Sequence, residues 1–137
     1  MITLKEGLFA YHATPRENVE GISKEGIIPQ PIEGVYSDEE SSNETKSWPP
    51  GKPGTFIALT RDAIEVFIDM SIDGDLNAGI APREYVIYNF NLPKAMEAIA
   101  DEDPRLDDQS IPGGHAAYIV FEVITPECLP LPEVYSG

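Results

Sequence analysis

Cysteine occurs once in this chain of 137 residues, at Cys128, and histidine only twice, at His12 and His115. One cysteine cannot close an internal disulfide or build a multi-cysteine metal site, and zinc would need carboxylates to complete its ligand set. Cys128 follows Pro126 and Glu127 without a local nucleophile signature. Basic residues are scarce too: nine Lys and Arg stand against 24 Asp and Glu, a net charge of −15. With no basic patch to replace released counterions, neither nucleic acid nor an anionic membrane is expected as a partner. Such acidity serves solubility or attracts a basic protein. No apolar run approaches the roughly 20 residues that span a bilayer. No charged-then-apolar leader is seen, so the expected location is the cytoplasm.

The length suits one domain over residues 1–137, large enough to bury a core without staples. Residues 34–54 are rich in Gly, Pro, Ser and acids and read as one long loop, with Trp48 as a lid residue or surface anchor. Thr55 to Leu59 reads as a buried strand, and Thr60 as the N-cap of a helix over Arg61 to Met70 with Ile64, Phe67 and Ile68 inward. Tyr85 to Phe90 and Ala117 to Val123 are rich in Val, Ile, Tyr and Phe and are expected as strands. Pro93 to Ala100 reads as a short helix, and Pro126 to Pro132 as a tail that packs across the sheet.

Leu8 to Pro15 is an apolar strand ending in Tyr11-His12-Ala13-Thr14. Local physics accounts for much of it. Thr14 is a plausible N-cap, Pro15 suits the first helical position and Glu17 completes a capping box. Val19 and Ile22 supply the apolar stripe, and Gly26 the residue just past the helix end. His12 then reads either as a half-buried strand histidine bonded to backbone or as a ligand-holding group at a strand end.

The passage resembles the opening of the ADP-ribosyltransferase superfamily, whose Tyr-His-Gly-Thr-like strand end grips the nicotinamide ribose of NAD. In the poly(ADP-ribose) polymerase-like branch, a Gly-Ile-Tyr-Phe-Ala strand is followed eleven residues later by a helical tyrosine, and the two aromatics enclose nicotinamide. Gly54-Thr55-Phe56-Ile57-Ala58 is similar to that strand, and Phe67 takes the second position, so both tyrosines are phenylalanine here. Phenylalanine still stacks on a ring but lacks the hydroxyl contact; as core residues, the two would simply pack. A glutamate expected at the start of a late strand falls on Ala117. Small rifamycin-modifying members of the superfamily carry their acid in an acidic stretch similar to Asp101-Glu102-Asp103-Pro104, which also reads as a solvated loop.

Asp73, Asp75, Asn77, Ile80 and Glu84 fall at calcium-loop positions, yet Ala78 stands where the turn needs glycine and Pro82 where a helix should begin. An Asp/Gly turn is the expected structure there and no metal site is assigned. No P-loop and no dinucleotide glycine fingerprint is found. The resemblance implies an α+β domain of ADP-ribosyltransferase type, with two small antiparallel-rich sheets meeting at a cleft and flanking helices. It implies NAD as substrate, transfer of ADP-ribose to a protein or small-molecule acceptor, and release of nicotinamide. Tyr11, His12, Ala13, Thr14, Phe56 and Phe67 would bind NAD, while His12 with Asp101 or Asp103 would act in catalysis. The alternative is a noncatalytic acidic module that binds a protein or an ADP-ribose-like ligand.

Overall fold

In the computed structural model, the described residues are 2–30, 53–100 and 115–135. Asp101, Asp103, Trp48 and nearly all of the long loop lie outside them. In chain order the elements are β1 (Ile2–Leu4), β2 (Phe9–Pro15), a 3-10 turn (Arg16–Asn18), α1 (Val19–Glu25) and β3 (Thr55–Ala58). Then come α2 (Arg61–Asn77), β4 (Tyr85–Asn91), β5 (Met96–Ala100), β6 (Ala117–Val120), a 3-10 turn (Pro126–Cys128) and β7 (Glu133–Val134). The fold is α+β.

The strands form one sheet in the order β1-β5-β6-β3-β2-β4-β7, antiparallel throughout, instead of the two sheets expected. Its continuity is uneven. β2 pairs with β4 along its whole length, from Phe9 opposite Asn91 to Pro15 opposite Tyr85, but meets β3 only at Tyr11 opposite Ala58. The sheet is therefore two half-sheets joined by one residue pair, which makes a seam where separate sheets were expected.

Strand alternation gives the sheet two different faces. On one face Ala10, Ile57, Val86, Tyr88, Ala98, Tyr118 and Val120 pack with Ile22 of α1 and with Ile27 and Ile124. On the other, Ala13, Ala58, Tyr85 and Ile87 pack under Ala63, Ile64 and Ile68 of α2. Because Ala13 belongs to one half-sheet and Ala58 to the other, α2 splints the seam from that side.

Several local expectations change. Met96 and Ala98 point into the core while Glu97 is exposed, a period of two, and β5 pairs with both β1 and β6. A strand replaces the expected helix because both sides of this segment find backbone partners. Thr14 does not cap a helix: it is a buried strand residue opposite Val86, and Arg16 N–H extends the β2–β4 contact to the Glu84 carbonyl at 2.8 Å. The Thr14 hydroxyl accepts from Asn18 Nδ2 at 2.8 Å instead, and α1 starts only at Val19. Nor does Glu17 complete a capping box; its carboxylate lies 3.8 Å from Arg83.

At Thr60 the cap forms as expected, its hydroxyl accepting from Ala63 N–H at 3.2 Å, but α2 continues past Met70 to Asn77. Asp73, Gly74 and Asp75 are thus helical, and neither the calcium loop nor the Asp/Gly turn exists. The buried Asp75 carboxylate accepts from Arg83 Nη2 at 3.0 Å and from the Tyr85 hydroxyl at 3.2 Å, tying the helix end to the entry of β4. Arg83 holds the Asp75 carboxyl below its ordinary range. In the tail, Cys128 and Leu129 pack on the core and β7 extends the sheet beside β4.

Candidate functional site

The half-sheets separate beyond Tyr11 and Ala58, and His12 stands at the point of separation. An ordinary antiparallel pair would continue with backbone hydrogen bonds. Here the half-buried His12 ring reaches across instead, with Nδ1 2.8 Å from the Phe56 carbonyl oxygen. A carbonyl only accepts, so Nδ1 carries the hydrogen and Nε2 of the neutral ring keeps a lone pair. Burial lowers the His12 pKa below the usual 6.5, and the bond to Phe56 offsets part of that shift. The neutral ring therefore dominates at pH 7. Its remaining nitrogen can accept a hydrogen bond from a hydroxyl.

The other candidate residues divide between the two faces. Tyr11, Ala13, Phe56 and Phe67 belong to the α2 side. His12 and Thr14 alternate with them along β2 and fall on the α1 side, so the six do not line one wall. What they share is the seam, which β2 and β3 approach from either side. Tyr88, which no sequence motif singles out as a site residue, lies directly opposite His12 and is 2 % exposed. Only the strand pairing reveals that position.

Phe56 and Phe67 stack on each other, with ring centroids 4.1 Å apart and planes 14° from parallel. The eleven-residue spacing thus brings strand and helix aromatics into one unit. A planar ligand inserted between them would need about 7 Å, two van der Waals separations. As they stand, the rings offer an outer face and an edge. Tyr11 meets Phe9 edge-on, centroids 5.2 Å apart, and Phe9 is exposed, so the aromatic surface continues along β2.

Ala117, at the position where the resemblance calls for glutamate, is fully buried at the head of β6 opposite Ala58. No carboxylate comes from that strand position, and the substitute acids Asp101 and Asp103 lie outside the described residues. Among the described residues no group of His, Cys, Asp and Glu is arranged to hold a metal ion. No helix among them is long and apolar enough to cross a membrane. Comparison of the chain with family models, curated proteins and solved structures gives no match.

Proposed function

We propose that this domain has the ADP-ribosyltransferase fold, binds NAD at the β2–β3 seam and transfers ADP-ribose to a protein or small-molecule acceptor, releasing nicotinamide. The observation that carries this reading is the His12–Phe56 bond at 2.8 Å. It brings the two motifs that resemble the superfamily into direct contact and fixes the imidazole so that Nε2 is left for a ribose hydroxyl. Backbone beside Ala13 holds the same ribose and Thr14 braces the strand end through Asn18, while in this reading nicotinamide passes through the seam to stack on the Phe56–Phe67 unit on the α2 side. In the reaction the bond from the ribose anomeric carbon to the nicotinamide nitrogen breaks, its electron pair leaving with nicotinamide. The acceptor then bonds to that carbon and loses a proton. Asp101 or Asp103 is the carboxylate that stabilises the positive charge developing on the ribose.

Ala117 favours a second reading, a noncatalytic module that binds NAD or an ADP-ribose-like ligand at the same seam. Calorimetric titration with NAD, followed over hours for nicotinamide release, separates the two. Binding with turnover supports the transferase, and binding alone the module. Absence of binding removes the site. In the transferase, Asp101→Asn or Asp103→Asn should lower turnover ~10²-fold with binding retained, and turnover that survives both changes excludes this loop as the source of the acid.

A further inference from the structure

Part of β4 lies on an open edge of the sheet. Backbone groups along a strand alternate between its two sides. Arg16 N–H bonds the Glu84 carbonyl and Leu92 N–H bonds the Leu8 carbonyl, so the even-numbered residues turn their N–H and C=O toward β2. The odd-numbered residues turn theirs the other way. On that side Tyr135 N–H bonds the Tyr85 carbonyl at 2.9 Å, and Ile87 pairs with Glu133 of β7. Continued register would set Leu131 beside Asn89 and Leu129 beside Asn91. Instead Leu131 is 95 % exposed and makes no hydrogen bond to β4, and Leu129 N–H bonds the Pro126 carbonyl. Among the described residues, the outward N–H and C=O of Asn89 and Asn91 have no backbone partner.

Sheet edges in soluble proteins are usually blunted by lysine, proline or a bulge. None of these interrupts Tyr88 to Asn91, which carries no charge and no proline and keeps an unbroken register with β2. Pro130 and Pro132 favour a φ near about −65°, far from the roughly −140° of an antiparallel strand, which accounts for the tail leaving the ladder. They turn away this chain's own tail and no other chain. Two N–H and two C=O groups at strand spacing are complementary to the backbone of one further strand.

The α2 side of the sheet indicates which side chains that strand would carry. Asn89 stands opposite Tyr11 and Asn91 opposite Phe9, and the Phe9 and Tyr11 rings meet edge-on. A residue added opposite Asn89 or Asn91 would place its side chain on the same face. The aromatic pair is then two strand spacings away, about 10 Å, and a long side chain passing over asparagine extends toward it. Lysine and arginine are long, and their cations are attracted to aromatic rings. A net charge of −15 draws them in as well.

We propose that Asn89 and Asn91 form a docking edge for an extended, lysine- or arginine-rich segment of a protein partner, added as a strand beside β4. β2 stands between this edge and the seam, so docking here does not depend on NAD.

The test is amide hydrogen exchange and NMR titration of the whole chain with the peptide acetyl-Lys-Val-Lys-Val-Lys-Val-amide. Without peptide, the Asn89 and Asn91 amides should exchange faster than those of Tyr88 and Phe90. At saturation they should slow about fivefold or more, the equivalent of one net hydrogen bond each. Phe9→Ala should weaken binding about two- to fivefold. The peptide methylated on the main-chain nitrogen of each lysine should protect neither amide, and glutamate in place of lysine should abolish binding. Asn89 and Asn91 amides as slow as their neighbours in the free protein would show an edge already covered. Protection that rises with protein concentration would show a second copy there. Either result overturns the proposal, as does a lysine peptide that fails to bind, binds away from β4, or binds equally well when methylated. Equal binding of the glutamate peptide, or by Phe9→Ala, would refute the cationic partner.

Discussion

Replacing His12 separates the two tasks that its imidazole performs. Nδ1–H bonds the Phe56 carbonyl across the seam, and Nε2 is the nitrogen offered to a ligand. His12→Ala removes both. The lost bond is worth about 1 kcal/mol, and a carbonyl left short of a partner adds about 1–2 kcal/mol, reduced where water can enter the half-buried site. A total loss of about 1–3 kcal/mol follows, or roughly 3–10 °C in Tm for a chain of this length. His12→Asn is the discriminating change, because its side-chain amide nitrogen falls close to the place of Nδ1 while nothing replaces Nε2. This variant should stay within about 1 kcal/mol of wild type by urea unfolding and bind NAD about two- to tenfold more weakly by calorimetry. Acidity adds a second readout. Burial lowers the folded-state pKa of His12, so as pH falls through about 6.5 the unfolded chain takes up the proton first. The native state then loses stability from about pH 6.5 down to the lowered folded pKa. Wild type should show that decline between pH 7 and 5, and His12→Asn should show less of it. The reasoning fails if His12→Asn is as unstable as His12→Ala, or if it binds NAD as tightly as wild type.

Two further changes test the frame around the seam. Asp75 is held below its ordinary carboxyl range chiefly by the hydrogen bond from Arg83, so its contribution is present above about pH 3.8 and lost as pH falls below that. Asp75→Asn should lower the urea midpoint at pH 6 and narrow its gap from wild type at pH 3; an equal gap at both pH values would refute the linkage. Gly26 ends α1 at φ +82°, and a Cβ there would collide with the Ile124 carbonyl. Gly26→Ala should cost about 1–3 kcal/mol from backbone conformation alone, read by chemical unfolding, and a neutral result would refute the close approach of the α1 end to the Ile124 carbonyl.

The sequence carried β3, β4, β6 and most of β2, because short runs of Val, Ile, Tyr and Phe buried on both faces of the sheet leave few other solutions. Thr60 and Gly26 were legible as helix punctuation, since each acts through local geometry. Thr14 was misread because its capping signal is local and β4 overrides it over a long sequence distance. Pro93 to Ala100 was misread for a similar reason: Met, Glu and Ala favour helices, and only pairing with both β1 and β6 makes β5 a strand. The calcium-loop spacing matched in letters, but α2 runs through its first half. At the candidate site, the spacing of Phe56 and Phe67 foretold a shared location but not that the rings would meet each other. Likewise, nothing in the order of residues indicated that His12 and Phe56 would be joined through a backbone carbonyl.

An ordinary rung between two strands belongs to the main chain and survives almost any substitution other than proline. The rung beyond Tyr11 and Ala58 belongs to a side chain, so a single codon decides whether the half-sheets are held together at that point. A library at position 12, sorted by stability and then by ligand binding, would treat the strength of that join as a quantity to be dialled, from firmly closed to freely gaping.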